Sequence, residues 1–261
     1  MTLKIGIIGL PNVGKSLLFN KLTNCKVLSK NFFFSTINPN IDYLRIYNKY
    51  LIKLINIINT KKIYNKNIII VDLAGLIKNS NKGQGLGLKI LTKIQELDII
   101  IHVIKVFNKD NIYNYYNNNI LNNINIIKKE LILRDIYLIK KNIINNKNIN
   151  EIIKYKKYLN ILKKNIYINK YYKYNNNNNN LLSNLITMKP MLLLFNINKN
   201  NFSQKKKILK ILKKDINNLS LGYYFLDIKK DNKKYYNFID YIYKFFNIKY
   251  CFTIKNNKIK I

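Results

Sequence analysis

The sequence predicts an α/β protein: an open, mainly parallel sheet flanked by helices, with an antiparallel helical hairpin inserted into it. Three observations carry this. Apolar runs of strand length recur along the chain, and stretches of helical period separate several of them. A glycine-containing loop joins the first apolar run to the first helical stretch. The middle of the chain then breaks the alternation with two amphipathic repeats.

Lys4–Gly9, Ile68–Asp72, Ile99–Phe107, Met191–Asn196 and Tyr223–Asp227 are the apolar runs, the pattern of parallel strands covered on both faces. Asp42–Tyr47 adds a further strand, Lys49–Asn59 a helix and Leu17–Leu22 the first helix. Between about Tyr113 and Asn180, Ile120, Ile124, Ile127, Leu131 and Leu138 share one helical face. After a polar break at Asn145–Asn150, Ile152, Tyr155, Leu159 and Leu162 repeat the pattern. The expected hairpin therefore fills residues 113–180 and includes a low-complexity loop at Asn175–Asn180. It splits the sheet domain into 1–112 and 181–246. The last helix is expected near Lys234–Phe246, and Lys249–Ile261 reads as strand, turn and strand.

At 261 residues and 48% hydrophobic content, the chain can build one substantial core. Its formal net charge of +35 has two candidate origins. One is affinity for nucleic-acid phosphates. The other is an A/T-rich codon bias, since Ile, Asn, Lys and Tyr dominate and single base changes turn Glu into Lys and Asp into Asn. Cys25 and Cys251 lack metal or redox spacing, which fits a reduced intracellular context. Neither a signal segment nor an uncharged run of transmembrane length is visible. A cytoplasmic protein with no membrane partner is expected, and no sequence-specific DNA reading.

Gly9-Leu10-Pro11-Asn12-Val13-Gly14-Lys15-Ser16 reads G-x-x-x-x-G-K-S between a strand and a helix. In that context backbone N–H groups and the positive helix end cradle nucleotide phosphates, Lys15 reaches the terminal pair, and the Ser16 hydroxyl can ligate Mg²⁺. Six of the eight glycines (Gly9, Gly14, Gly75, Gly83, Gly85, Gly87) lie in two short loops, where backbone must approach a ligand or adopt positive φ. Asp72-Leu73-Ala74-Gly75 closes a strand: the carboxylate can hold a Mg²⁺-bound water and the Gly75 N–H can sense a terminal phosphate. Thr36, in the loop between these motifs, is the expected second Mg²⁺ ligand. Lys15, Thr36, Asp72 and Gly75 are thus the catalytic candidates, and Ser16, Thr36 and Asp72 the metal set. Leu76 stands where many GTPases carry a water-positioning Gln, and leucine cannot orient water by hydrogen bonding. After Met191–Phe195 comes Asn196-Ile197-Asn198-Lys199, whose fourth position offers an ammonium in place of a base-reading carboxylate. His102, in an apolar strand, reads as a core histidine.

Together these motifs resemble the Obg-like ATPase (YchF) family of translation-factor-class P-loop NTPases. The resemblance runs from Leu3 to about Ile261. It rests most on GLPNVGKS at Gly9–Ser16, NFFFSTINPN at Asn31–Asn40 and DLAGLIKNSNKGQGLG at Asp72–Gly87, with HVIKVFNKDNI, KELILRD and LLSNLITMKP in support. It implies a nucleotide domain interrupted by a helical hairpin and followed by a TGS domain, of which 247–261 covers only the opening. It implies phosphate contacts at Asn12, Val13, Gly14, Lys15, Ser16 and Leu17, base contacts at Asn196 and Ile197, and Mg²⁺ at Ser16 and Thr36 with Asp72 behind. Asn12 resembles the loop asparagine that ligates K⁺ in cation-dependent relatives. The implied activity is hydrolysis of ATP, with GTP tolerated, in association with the ribosome or its RNA. Four departures stand out: Lys199 for the Glu of the base motif, Phe33 for Pro with Asn38 for an acidic residue in the switch loop, no small residues at Tyr223–Asp227, and a TGS domain of which Lys249–Ile261 covers only the opening. Leu76, the altered base motif and the partly covered TGS domain keep a second reading open, a nucleotide-binding, RNA-contacting module with little or no hydrolysis.

Overall fold

The computed structural model describes residues 2–23, 39–44, 62–64, 68–76, 86–106, 120–172, 184–198, 205–206, 208–210, 221–230, 234–246, 253–255 and 258–260. The helix expected at Lys49–Asn59 and the loop at Asn175–Asn180 lie outside them.

Strand β1 (Lys4–Ile8) pairs in parallel with β4 (Ile69–Asp72) on one side and β5 (Ile99–Lys105) on the other. Beyond β5 come β6 (Met191–Asn196) and β7 (Gly222–Leu226), both parallel, and β2 (Asn40–Tyr43) lies antiparallel outside β4. The six-stranded order is β2-β4-β1-β5-β6-β7, the open, mainly parallel sheet that the apolar runs predict. All five parallel strands therefore end at the same sheet edge, which is where ligands of such folds bind.

The inner strands β1, β4, β5 and β6 are buried beneath flanking helices, whereas the edge strand β2 leaves Ile41 and Tyr43 exposed. Helix α1 (Lys15–Thr23) turns Leu18, Phe19 and Leu22 into the core, and α2 (Leu86–Gln95) adds Ile90, Leu91 and Ile94. Helix α5 (Lys234–Phe245) approaches β7 so closely that a Cβ on Gly222 would lie 2.3 Å from the Phe245 ring, which any side chain there would have to displace. A second sheet, β3 (Lys62–Tyr64) with β9 (Lys258–Lys260) and β8 (Thr253–Lys255), contains the two strands expected at the end of the chain. Its β3 strand is not foreseen in the sequence, because three residues are too few to show a period.

The hairpin is formed by α3 (Ile120–Asn145) and α4 (Ile149–Lys163). Asn148 caps α4, its side chain accepting from Asn150 N at 3.0 Å, and Asn146 Oδ1 accepts from Asn148 N at 2.9 Å. Of the predicted stripe Ile124, Ile127 and Leu131 are fully buried, whereas at the distal end Ile139 is buried and Leu138 only half so. A helix drifts against a strict seven-residue repeat, which moves the buried face by one residue.

Polar contacts fix α3 to the sheet domain. Asp135, fully buried, accepts from Ile186 N at 3.0 Å and Thr187 N at 2.7 Å, capping the turn that leads into β6. Lys189 donates to the carbonyls of Gln95 (2.8 Å) and Leu97, tying the same turn to the end of α2. Arg134 reaches α2 as well, donating to Gln95 Oε1 at 3.0 Å and Thr92 Oγ1 at 3.3 Å. Burial raises the Asp135 carboxyl to about 6, and the two amides and the Lys189 charge hold it back in part.

Replacing Asp135 by Ala leaves two buried N–H groups without their acceptor and should cost about 2–4 kcal/mol in denaturant unfolding. The folded carboxyl titrates above its unfolded value, so its contribution is fully present below about pH 4 and is lost as pH rises through 6. Subtracting an Asp135→Asn unfolding series from the wild-type series should expose that slope between pH 4 and 6; a flat difference would refute it.

Candidate phosphate-binding site

The site begins where β1 ends. From Gly9 (φ +155°) the chain passes through Asn12 (φ +60°) and Gly14 (φ +104°) before α1 starts with Leu18 N donating to Gly14 O at 3.0 Å. Alternating hands of backbone are what turn successive N–H groups into one concavity. Gly14 is required on a second count, since a Cβ there would meet Asn196 Nδ2 at 2.8 Å.

Lys15 spans this loop. Its buried ammonium donates to the Leu10 carbonyl at 2.9 Å, and burial lowers it to about 8, with the Asp72 charge opposing the shift. The Ser16 hydroxyl donates to Asp72 Oδ2 at 2.6 Å. Asp72, at the end of β4, is fully buried; burial raises its carboxyl, and the Ser16 hydrogen bond, the Lys15 charge and the nearby Asn40 side chain pull it down. Its other oxygen, Oδ1, is buried and accepts no hydrogen bond of normal geometry among the described residues. A carboxylate oxygen in that state beside a hydroxyl fits a hard divalent cation such as Mg²⁺.

The segment after β4 lies along the loop. Leu73 N donates to Ile7 O at 3.3 Å and Leu76 N to Gly9 O at 3.1 Å, while a Cβ on Gly75 would sit 2.8 Å from Pro11 N. Gly75 therefore comes as close to the loop as backbone can. The Leu76 side chain is wholly buried, a core residue with no polar group to offer.

On the opposite flank, Asn196 joins three segments. Its buried Nδ2 donates to Val13 O at 3.0 Å, and its Oδ1 accepts from Ile228 N at 3.4 Å. Ile197, expected beside the base, is buried, and its N–H donates to Leu226 O at 3.0 Å. Thus the structure brings Asn12, Val13, Gly14, Lys15, Ser16, Asp72, Gly75 and Asn196 to one sheet edge, with Leu17 half-buried on the first turn of α1. Thr36, Phe33, Asn38 and Lys199 lie outside the described residues. His102 is buried in β5, where burial and the Lys15 charge lower its pKa to about 3, so it is neutral as a core histidine should be. Asp227 escapes the sequence reading. Just past β7, it is buried, and its Oδ1 accepts from both Lys229 N and Lys230 N at 3.1 Å. The available signal was an Asp two residues ahead of a lysine pair, the spacing of an Asx turn.

A parallel sheet with this loop after its first strand defines the P-loop nucleotide-binding class. The sequence profile of the 50S ribosome-binding GTPase family matches residues 4–141, and the chain belongs to that family, within its YchF branch. It is 38% identical over 229 residues to the ribosome-binding ATPase YchF of Buchnera aphidicola from Acyrthosiphon pisum, covering 82% of this chain and 63% of that one. With the Bacillus subtilis protein of the same name it shares 40% over 142 residues, covering 54% and 39%. The chain thus spans less than two thirds of the length of these relatives. The solved YchF GTPase of Schizosaccharomyces pombe superposes with a TM-score of 0.69 at 20% identity, covering 99% of this chain and 79% of that one, a likeness of fold. No helix among the described residues is long and apolar enough to cross a membrane.

Replacing Asn196 by Ala strips a donor from Val13 O and an acceptor from Ile228 N, both in buried surroundings. The loss should lower folding stability by about 1–3 kcal/mol and weaken ADP binding by about tenfold or more. Thermal unfolding and calorimetric titration check the two effects; unchanged affinity would show that the loop keeps its shape unaided.

Proposed function

We propose that this chain is a Mg²⁺-dependent nucleoside triphosphatase, preferring ATP and tolerating GTP, that works in the cytoplasm as a nucleotide switch on the ribosome or its RNA. The observation that carries the reading is the Ser16–Asp72 pair with the buried Asp72 Oδ1, set beside the buried Lys15 in a loop of mixed backbone hand. Relatives named ribosome-binding ATPases and the family's 50S ribosome-binding description support the partner.

In this reading the loop amides from Asn12 to Leu17 bind the phosphates, and the Lys15 ammonium leaves Leu10 O to pair with the β- and γ-phosphates. Ser16 and Thr36 ligate Mg²⁺, and Asp72 holds one of its waters. The metal, when bound, neutralises charge that develops between the β- and γ-phosphates. The Gly75 N–H senses the γ-phosphate, and Asn196 with Ile197 lines the base side. With Leu76 in the core, water must be oriented by backbone groups, a partner or a cation, and Asn12 is our candidate ligand for K⁺. The nucleotide domain comprises 1–112 and 181–246, the hairpin 113–180, and 247–261 belongs to a TGS domain.

The buried Leu76 also favours a second reading, a module that holds nucleotide and contacts RNA without turning it over. Phosphate release from ATP and GTP, measured beside Lys15→Ala in sodium and potassium buffers, separates the two. We expect ATP turnover to fall at least a hundredfold in the variant and potassium to accelerate the wild type. Release no faster than the variant's would leave only the binding module, and equal rates in both salts would remove K⁺.

Ribosome pelleting tests the switch. Retention should rise with non-hydrolysable ATP over ADP and decline with added salt, because basic side chains supply the attraction. Retention indifferent to nucleotide would discard the switch while leaving the docking.

A further inference from the structure

The last turn of α4 builds a second concavity, remote in sequence from the phosphate loop. Lys164 caps the helix, and Asn165 at φ +58° reverses the chain. Its N–H donates to Leu162 O at 2.9 Å and the Ile166 N–H to Ile161 O at 3.4 Å. That paired closure brings Ile166 back beside Ile161. The turn Ile168–Lys170 follows, and Tyr171 N and Tyr172 N both donate to Ile168 O, at 3.0 and 3.1 Å. Asn160, Ile161, Lys164, Ile166, Tyr171 and Tyr172 thereby line a groove of about 280 Å³. That is the small end of ligand clefts, with room for one flat group rather than a folded partner.

The groove combines groups that a core would not. Tyr172 is fixed edge-on against the buried Tyr158, ring centroids 5.1 Å apart. Tyr171 instead remains 57% exposed, and the Lys170 ammonium lies 5.8 Å from its ring centroid. Asn160 offers an amide donor and acceptor, and the two isoleucines an apolar wall. Lys164 and Lys157, two turns earlier, are both exposed on the same face of α4. From Ile152 to Lys214 the sequence contains no Asp or Glu, so this stretch supplies only positive charge. An aromatic ring open to solvent and edged by cations fits an unpaired nucleotide: the base stacks on the ring while its phosphates meet ammoniums. An acidic peptide would use the lysines and leave the open ring without a flat partner. We propose that this groove is a subsite for single-stranded RNA, with a base stacked on Tyr171 and phosphates held by Lys157, Lys164 and Lys170. The inference deepens the RNA contact of the proposed function, on which it rests, and does not depend on hydrolysis.

Fluorescence anisotropy of the whole chain tests it, using a labelled single-stranded RNA and an abasic strand of the same length and charge. ADP is present throughout to occupy the phosphate loop. The base-bearing strand should bind about tenfold more tightly than the abasic one. Tyr171→Ala should erase that preference and Tyr171→Phe should keep it, with thermal unfolding to confirm that both fold. Lys157→Gln combined with Lys164→Gln should instead weaken both strands. The slope of log Kd against log salt should drop by about 0.7 per lysine removed. Equal binding of the two strands by the wild type, or a preference unchanged within twofold in Tyr171→Ala, would overturn the proposal while leaving RNA attraction by charge intact. A polyglutamate peptide that displaces the base-bearing strand as well as unlabelled RNA does would overturn it too, and assign the groove to an acidic polypeptide. A wild type that binds neither strand would overturn the RNA contact of the proposed function together with this inference.

Discussion

A phosphate loop must hold its backbone in an unfavourable shape before any phosphate arrives. Asn12, a non-glycine residue at φ +60°, stands in a region that costs about 1 kcal/mol or more, and Gly9 and Gly14 carry the remaining positive angles. Such a turn persists only if its surroundings over-determine it. Three groups do so from outside the loop's own sequence: the Asn196 amide on Val13 O, the Leu76 N–H on Gly9 O, and the Gly75 backbone against Pro11. A fourth restraint comes from within, as Lys15 turns its ammonium onto Leu10 O. The strands that frame the loop thus act as a mould, and sheet order matters because it delivers β4 to one flank and β6 and β7 to the other.

The same geometry sets the charge states. Burial pushes Lys15 down and Asp72 up, each towards its neutral form, while their mutual attraction opposes both shifts. His102 beneath them carries no charge at neutral pH, so it adds no repulsion to Lys15. Local desolvation and pairing therefore govern the site, and the chain's +35 bears on encounter with an anionic partner rather than on phosphate chemistry.

Much of the fold was legible because its signals are local. Met191–Asn196 is a six-residue apolar run and appears as β6 with the same bounds, and the Asn146–Asn148 turn is a polar gap between two amphipathic repeats. The phosphate loop was legible for a related reason: in a chain poor in glycine, those at 9, 14 and 75 each lie where a Cβ would come within 3 Å of another group. What stayed hidden depends on partners far away in sequence. Asp135 finds its two amides 51 and 52 residues on, and Lys189 its carbonyls more than 90 residues back, so nothing near either residue announces a cap or a clamp. Asn196 could be read as a nucleotide-side residue, but its bond to Val13 spans 183 residues and exists only once β6 lies two places from β1.

Those long-range clamps converge on the end of α2. The final turn of α2 is held by Arg134 through Gln95 and Thr92, by Lys189 through Gln95 O, and by Gln95 Nε2 on Asn184 O at 3.2 Å. Arg134 suits this task in a chain whose basic residues are otherwise almost all lysine, since a planar guanidinium can meet two acceptors at once. With its C-terminal end fixed to α3 and to the turn before β6, α2 cannot drift alone. These polar bonds at one end of α2 therefore tie the hairpin to the sheet domain.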